Sequence, residues 1–171
     1  MIPRLPPLYV PAKKAYVRGK RPAVSCILCA VADDDGRVER LVVHRGKTCF
    51  VTFNLYPYNP GHLMVVPFRH VLDPRDLAPA EEKEMRDLQF RCLDVLDERY
   101  GPHGYNVGYN IGTGAGASIE HLHLHVVPRF RNEIGFLDVL GGTRVHVDDP
   151  RAARKALMRA FARRGRHRPR R

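Results

Sequence analysis

Two periodicities of apolar residues run along this chain, and together they predict its elements. Residues 38–44 and 48–53 are rich in Val, Phe and Thr with near-alternate patterning, and they read as two strands pairing in a hairpin. Residues 62–67, 104–110 and 121–128 read as three further strands. Between them the period changes. Met85, Leu88, Cys92, Leu96 and Tyr100 recur at helical spacing, which predicts a long helix over residues 79–100 that Gly101-Pro102 stops. A second helix is predicted over residues 151–163, started by Asp149-Pro150 and carrying a thin stripe of Ala153, Leu157 and Phe161. Asp33-Asp34-Asp35-Gly36 signals a turn, and the Pro-rich, basic residues 1–23 read as an extended arm. By layer logic this is an α+β fold: an antiparallel sheet of about five strands with a helix against one face.

Composition changes the picture at one end only. The chain has 171 residues, enough for a sizeable core, and a formal net charge of +11. Residues 151–171 hold ten Arg or Lys and no acidic residue, so the remainder is nearly balanced, with 19 basic and 18 acidic side chains. Such a tail can hold nucleic acid or polyphosphate by counterion release, or it can be a solvated helix face with a loose end. The absence of any long apolar run predicts no secretory segment and no membrane span. Four cysteines without a disulfide framework suit a reducing cytoplasm.

Chemistry concentrates in His121-Leu122-His123-Leu124-His125. On a strand, alternate residues share a face, so the three imidazoles would lie about 7 Å apart over a backing of Leu122, Leu124 and Val126. Imidazole is a base, an acid, a nucleophile or a metal ligand near neutral pH. Just upstream, residues 110–118 form a Gly/Ala loop whose backbone N–H groups can approach an anion closely, with Ser118 adding a hydroxyl. Alone, that loop is a weak signal; beside the histidines it suggests a phosphate pocket with a nucleophile aimed into it. A separate Cys26-Ile27-Leu28-Cys29 pair is half of a tetrahedral zinc site or two small buried thiols, and no thioredoxin-like context supports a redox role. Cys49 and Cys92 read as core residues.

The triad followed by Val126-Val127, with Asn59-Pro60-Gly61-His62-Leu63-Met64-Val65-Val66-Pro67, Asn110 and Ser118 in register, resembles the histidine triad (HIT) superfamily of nucleotidyl hydrolases and transferases. The likeness spans roughly residues 24–140. Residues 54–62 and 126–129 are most similar to a bacterial branch associated with diadenosine polyphosphates. The resemblance implies a HIT domain at residues 24–148 followed by a basic helix and Arg-rich tail at 149–171. It implies His123 as a nucleophile attacking the α-phosphorus, His125 on the phosphate and leaving-group side, and His62 lining the same site. Asn110 and Ser118 would orient the nucleophile and bind phosphate oxygens, Gly116 would belong to the phosphate loop, and Asn54 would contact the ribose. It further implies adenine nucleotides as substrates, a homodimer and no catalytic organic cofactor. Family members complete a structural zinc site at positions that correspond to Cys26, Cys29, His70 and His121. Histidine at position 125, rather than glutamine, points toward hydrolysis, with phosphorolysis left open. Phe130 stands where relatives often carry tryptophan.

Overall fold

In the computed structural model, residues 22–131 and 149–163 are described. The N-terminal arm up to residue 21 and the Arg-rich end from residue 164 lie outside them. Five strands form one antiparallel sheet: β1 (Val42–Arg45), β2 (Cys49–Phe53), β3 (Leu63–Pro67), β4 (Gly104–Tyr109) and β5 (Leu124–Arg129), in the order β1-β2-β3-β5-β4. Helices α1 (Ile27–Ala32), α2 (Pro79–Tyr100) and α3 (Pro150–Ala162) complete the described fold. No helix among the described residues is long and apolar enough to cross a membrane. The α+β architecture expected from the two periodicities is the one observed.

Strands β2, β3 and β5 are buried on both faces. One face packs against α2 and α3 through Val43, Val51, Val65, Leu124 and Val126 with Met85, Leu88, Leu96, Leu157 and Phe161. The other packs Phe50, Met64 and Val66 against Leu28 and Val31 of α1. This explains why β2 and β3 read as almost continuous apolar runs.

Helix α2 keeps the predicted bounds because both ends are chemically marked. Pro79 occupies the first turn, the Glu81 carboxylate accepts from the Ala78 N–H at 2.8 Å, and Gly101 closes the helix at φ 53°. Helix α3 is capped by the Asp149 carboxylate, which accepts from the Arg151 N–H. Its stripe of Ala153, Leu157, Ala160 and Phe161 joins the main core, so this helix is an integral layer and not a loose appendage.

Three details differ from expectation. Strand β1 covers Val42–Arg45 where residues 38–44 were expected, and its register against β2 shifts between Val42 and His44. The short helix α1 was not expected; six residues are too few for a periodic signal, and α1 is held by the contacts of Leu28 and Val31. The triad strand begins at Leu124 instead of His121, because Leu122 N–H bonds to the Val71 carbonyl (2.6 Å), outside the ladder.

Candidate active site

That late start to β5 divides the triad. His125 is paired in the ladder with Met64 and Gly108, and His123 stands just before it. Their rings meet edge to face at 4.7 Å between centroids, closer than a regular strand would place them. His121 faces a different group altogether, beside Cys26, Cys29 and His70.

The His123 ring has its proton position fixed. Its Nδ1 lies 2.6 Å from the His121 carbonyl oxygen, which can only accept, so Nδ1 carries hydrogen and Nε2 carries the lone pair. Burial lowers the His123 pKa, partly offset by that hydrogen bond, so the neutral ring is favoured at neutral pH.

A second set of bonds fixes His125. The Tyr58 N–H donates to His62 Nδ1 at 3.1 Å, which leaves hydrogen on His62 Nε2. His62 Nε2 then donates to His125 Nδ1 at 2.9 Å, which leaves hydrogen on His125 Nε2. Asn110 Nδ2 is placed 3.3 Å from that nitrogen, and since two donors cannot bond, the order of donors calls for the amide to be turned so that its oxygen accepts there. Both rings are held neutral: burial, then the neighbouring His125 and His123, pushes His62 well below its ordinary value, and burial followed by His123 brings His125 to about 4.

His62 was expected on the wall of the site. It is instead completely buried behind His125, and its contact with the cavity passes through that ring. The turn before it explains why. Gly61, at φ 78°, packs so close to Tyr100, Leu96 and Pro128 that an added Cβ would lie 3.0–3.2 Å from them. Asn59 donates to the Pro128 carbonyl at 2.7 Å, and the Asn54 N–H donates to the His62 carbonyl. The turn is thereby locked onto β5, with His62 facing inward.

His123, His125, Asn110, Gly116, Ser118 and Asn54 line one cavity of about 300 Å³. Gly116 takes φ 84° at the end of a short 3-10 turn, a conformation that suits glycine. Asn54 accepts from the Tyr56 N–H through its side-chain oxygen, which leaves its amide nitrogen as a donor toward the cavity. The opposite wall is apolar: Ile27, Leu28, Val31, Val38, Leu41 and Phe53. Sequence reasoning missed two parts of this site. One is the α1 wall, whose signal was the apolar spacing of Ile27, Leu28 and Val31. The other is Tyr58, whose exposed ring stacks on His62 at 4.8 Å and lies 5.7 Å from His125. Nothing local in the sequence marks Tyr58 as more than a turn residue.

Behind this cavity, Cys26, Cys29, His70 and His121 bring one ligand atom each within 4.8 Å of one another, a group that could hold a metal ion. His121 Nε2 donates to the Pro67 carbonyl at 3.0 Å, so its Nδ1 lone pair faces Cys26 and Cys29, each Sγ 3.4 Å away. His70 Nδ1 lies 3.3 Å from Cys29 Sγ. Tetrahedral Zn–S and Zn–N bonds imply S···N separations of about 3.5 Å, and these three separations fit them.

The fold and this site together define a histidine triad protein. The HIT domain family matches residues 36–132, and the chain belongs to that family. It is 44% identical over 134 residues to "AP-4-A phosphorylase" of Mycobacterium tuberculosis, covering 78% of this chain and 67% of that protein. It is 29% identical over 99 residues to "Bis(5'-nucleosyl)-tetraphosphatase [asymmetrical]" of Schizosaccharomyces pombe, covering 58% of this chain and 54% of the relative. Among solved structures, a "ZN-bound histidine triad family protein" from Mycobacterium smegmatis superposes with a TM-score of 0.66 at 26% identity, covering 81% of this chain and 94% of that one.

Proposed function

We propose that this protein cleaves dinucleoside polyphosphates by nucleotidyl transfer through His123. The observation that carries the reading is the fixed tautomer: Nδ1–H is held by the His121 carbonyl, and the Nε2 lone pair belongs to a ring on the cavity wall. Nε2 attacks the α-phosphorus, an N–P bond forms, and the P–O bond to the remaining polyphosphate breaks. The leaving oxygen takes up its proton from the pocket or solvent. The Ser118 hydroxyl and the loop at Gly116 donate to the non-bridging and leaving oxygens, where charge develops, and His125 Nε2–H exchanges its Asn110 partner for one of those oxygens. A second acceptor then displaces the nucleotide from His123 and restores the free imidazole. The relative at 44% identity is named a phosphorylase, which supports inorganic phosphate as that acceptor. Incubation with diadenosine tetraphosphate tests this. ADP plus ATP that appear only with phosphate support the assignment, AMP plus ATP without phosphate make water the acceptor, and no turnover refutes the reading.

In this reading the Cys26, Cys29, His70 and His121 group holds a structural zinc with four protein ligands and no open position for water. It ties α1, which walls the cavity, to the residue whose carbonyl orients His123. A homodimer is supported by edge strand β4, which leaves Asn106, Val107 and Gly108 exposed. The basic tail supports a second reading, in which the protein also binds nucleic acid. α3 docks by its apolar stripe and leaves Lys155 and Arg159 exposed, continuous in sequence with the Arg-rich end. Salt-dependent RNA binding that is lost on deletion of residues 164–171 would support it, and salt-independent or unchanged binding would refute it.

A further inference from the structure

Among the described residues that line the cavity, one is acidic, Glu39. Its neighbour Val38 packs with Leu28 and Val31 of α1, so the segment bearing Glu39 runs along the surface that would receive a nucleobase. Among the cavity-lining residues its carboxylate is distinct from the polar groups gathered around His123 and His125.

That carboxylate, on an exposed residue, has one cationic partner among the described residues. Arg151, in the first turn of α3, grips it side-on: Nη2 donates to Oε2 at 2.6 Å, and Nε pairs with Oε1. Arg151 is itself placed by the Asp149 cap and by the docking of α3 into the core. A side-on guanidinium uses the two lone pairs that point in the same direction, one on each oxygen. What remains is a single acceptor direction on each oxygen, pointing sideways. A carboxylate held in this way suits one amino N–H and not a pair of adjacent N–H donors.

Resting on the proposed nucleotidyl transfer, we infer that Glu39 is a specificity-determining residue that accepts a hydrogen bond from the exocyclic amino group of adenine, with Arg151 as its positioning residue. Adenine presents that single amino donor between two ring acceptors. Guanine presents adjacent N1–H and N2–H donors, which would call for the two lone pairs Arg151 already occupies. Arg151 lies outside residues 36–132, so base selection in this chain draws on a helix beyond the matched domain.

The test compares affinities for AMP and for purine riboside 5′-monophosphate, which lacks the amino group, with GMP as a third ligand. The unaltered protein should bind AMP about tenfold more tightly than the deaminated analogue, the size of one charge-assisted hydrogen bond. In Glu39→Ala that ratio should fall toward one. In Arg151→Leu it should fall and GMP should gain relative to AMP, whereas Arg151→Lys should restore part of the ratio. A variant that only unfolds loses all three ligands together, and the ratio in the other two variants still decides. An AMP preference that is absent from the unaltered protein, or that persists in Glu39→Ala, overturns the inference. Failure of the unaltered protein to bind any of the three nucleotides would instead remove the nucleotidyl-transfer reading on which it rests.

Discussion

Replacing His62 by phenylalanine should expose how much of the site rests on one buried ring. His62 is wholly buried and makes two hydrogen bonds, accepting from the Tyr58 N–H at 3.1 Å and donating to His125 Nδ1 at 2.9 Å. Phenylalanine fills nearly the same volume, so a cavity is not the main effect. The change leaves a half-buried N–H and a buried ring nitrogen without partners, each costing about 1–3 kcal/mol, while the apolar ring returns about 1 kcal/mol of transfer free energy. The expected net loss is about 1–5 kcal/mol in urea unfolding. With Nδ1 no longer held, His125 can invert its tautomer, and turnover should fall about 10- to 100-fold with little change in nucleotide affinity. The double variant His62→Phe, His125→Phe removes both partners of the shared bond. Its stability loss should therefore be smaller than the sum of the two single losses by about 1 kcal/mol or more. Additive losses within about 0.5 kcal/mol, or a His62→Phe variant of unchanged stability, would refute the relay.

Further outcomes follow from the same structure. His125 has a folded value of about 4 against about 6.5 when unfolded, so the unfolded chain binds the proton more readily. Its contribution to stability is complete above about pH 6.5, is lost as pH falls toward 4 and amounts to at most about 3 kcal/mol. Urea midpoints across that window should fall in the unaltered protein and fall less in His125→Phe; equal slopes would contradict the assignment. Leu157→Ala, at a fully buried position of α3, should cost about 2–5 kcal/mol in urea unfolding, and a loss under about 0.5 kcal/mol would mean that α3 is peripheral. If the Cys2His2 group holds zinc, Cys29→Ala should lose the metal on elemental analysis and lower the thermal midpoint by several degrees; unchanged metal content would refute the ligand set.

What was legible in the chain depended on the range of the forces involved. Helix α2 was readable to its ends because its stripe, its Glu81 bond and its Gly101 stop are all local. The strands were readable as elements, but the start of β5 was not, since a contact with Val71 outside the ladder sets it. Spacing alone offered His121, His123 and His125 as three equivalent imidazoles, and it was the family resemblance that made legible their division between a metal-binding group and the cavity. That division depends on Pro67, Cys26 and Cys29 reaching His121 from distant positions. The burial of His62 followed from the packing of Gly61 against Tyr100, Leu96 and Pro128, and no local pattern encodes it. Glu39 was invisible as a site residue because a surface-like Val-Glu-Arg triplet gains its meaning only when α3 brings Arg151 beside it.

The central claim is that His123 Nε2 becomes covalently bonded to the nucleotide. It is tested most directly by mixing the protein with diadenosine tetraphosphate in the absence of inorganic phosphate, quenching within a single turnover and mapping the modified peptide by mass spectrometry. One adenylyl group on His123, absent from His123→Ala and lost when the complete reaction is restored, is the predicted result. Full turnover by His123→Ala, or an adenylyl group mapped to another residue, would contradict it.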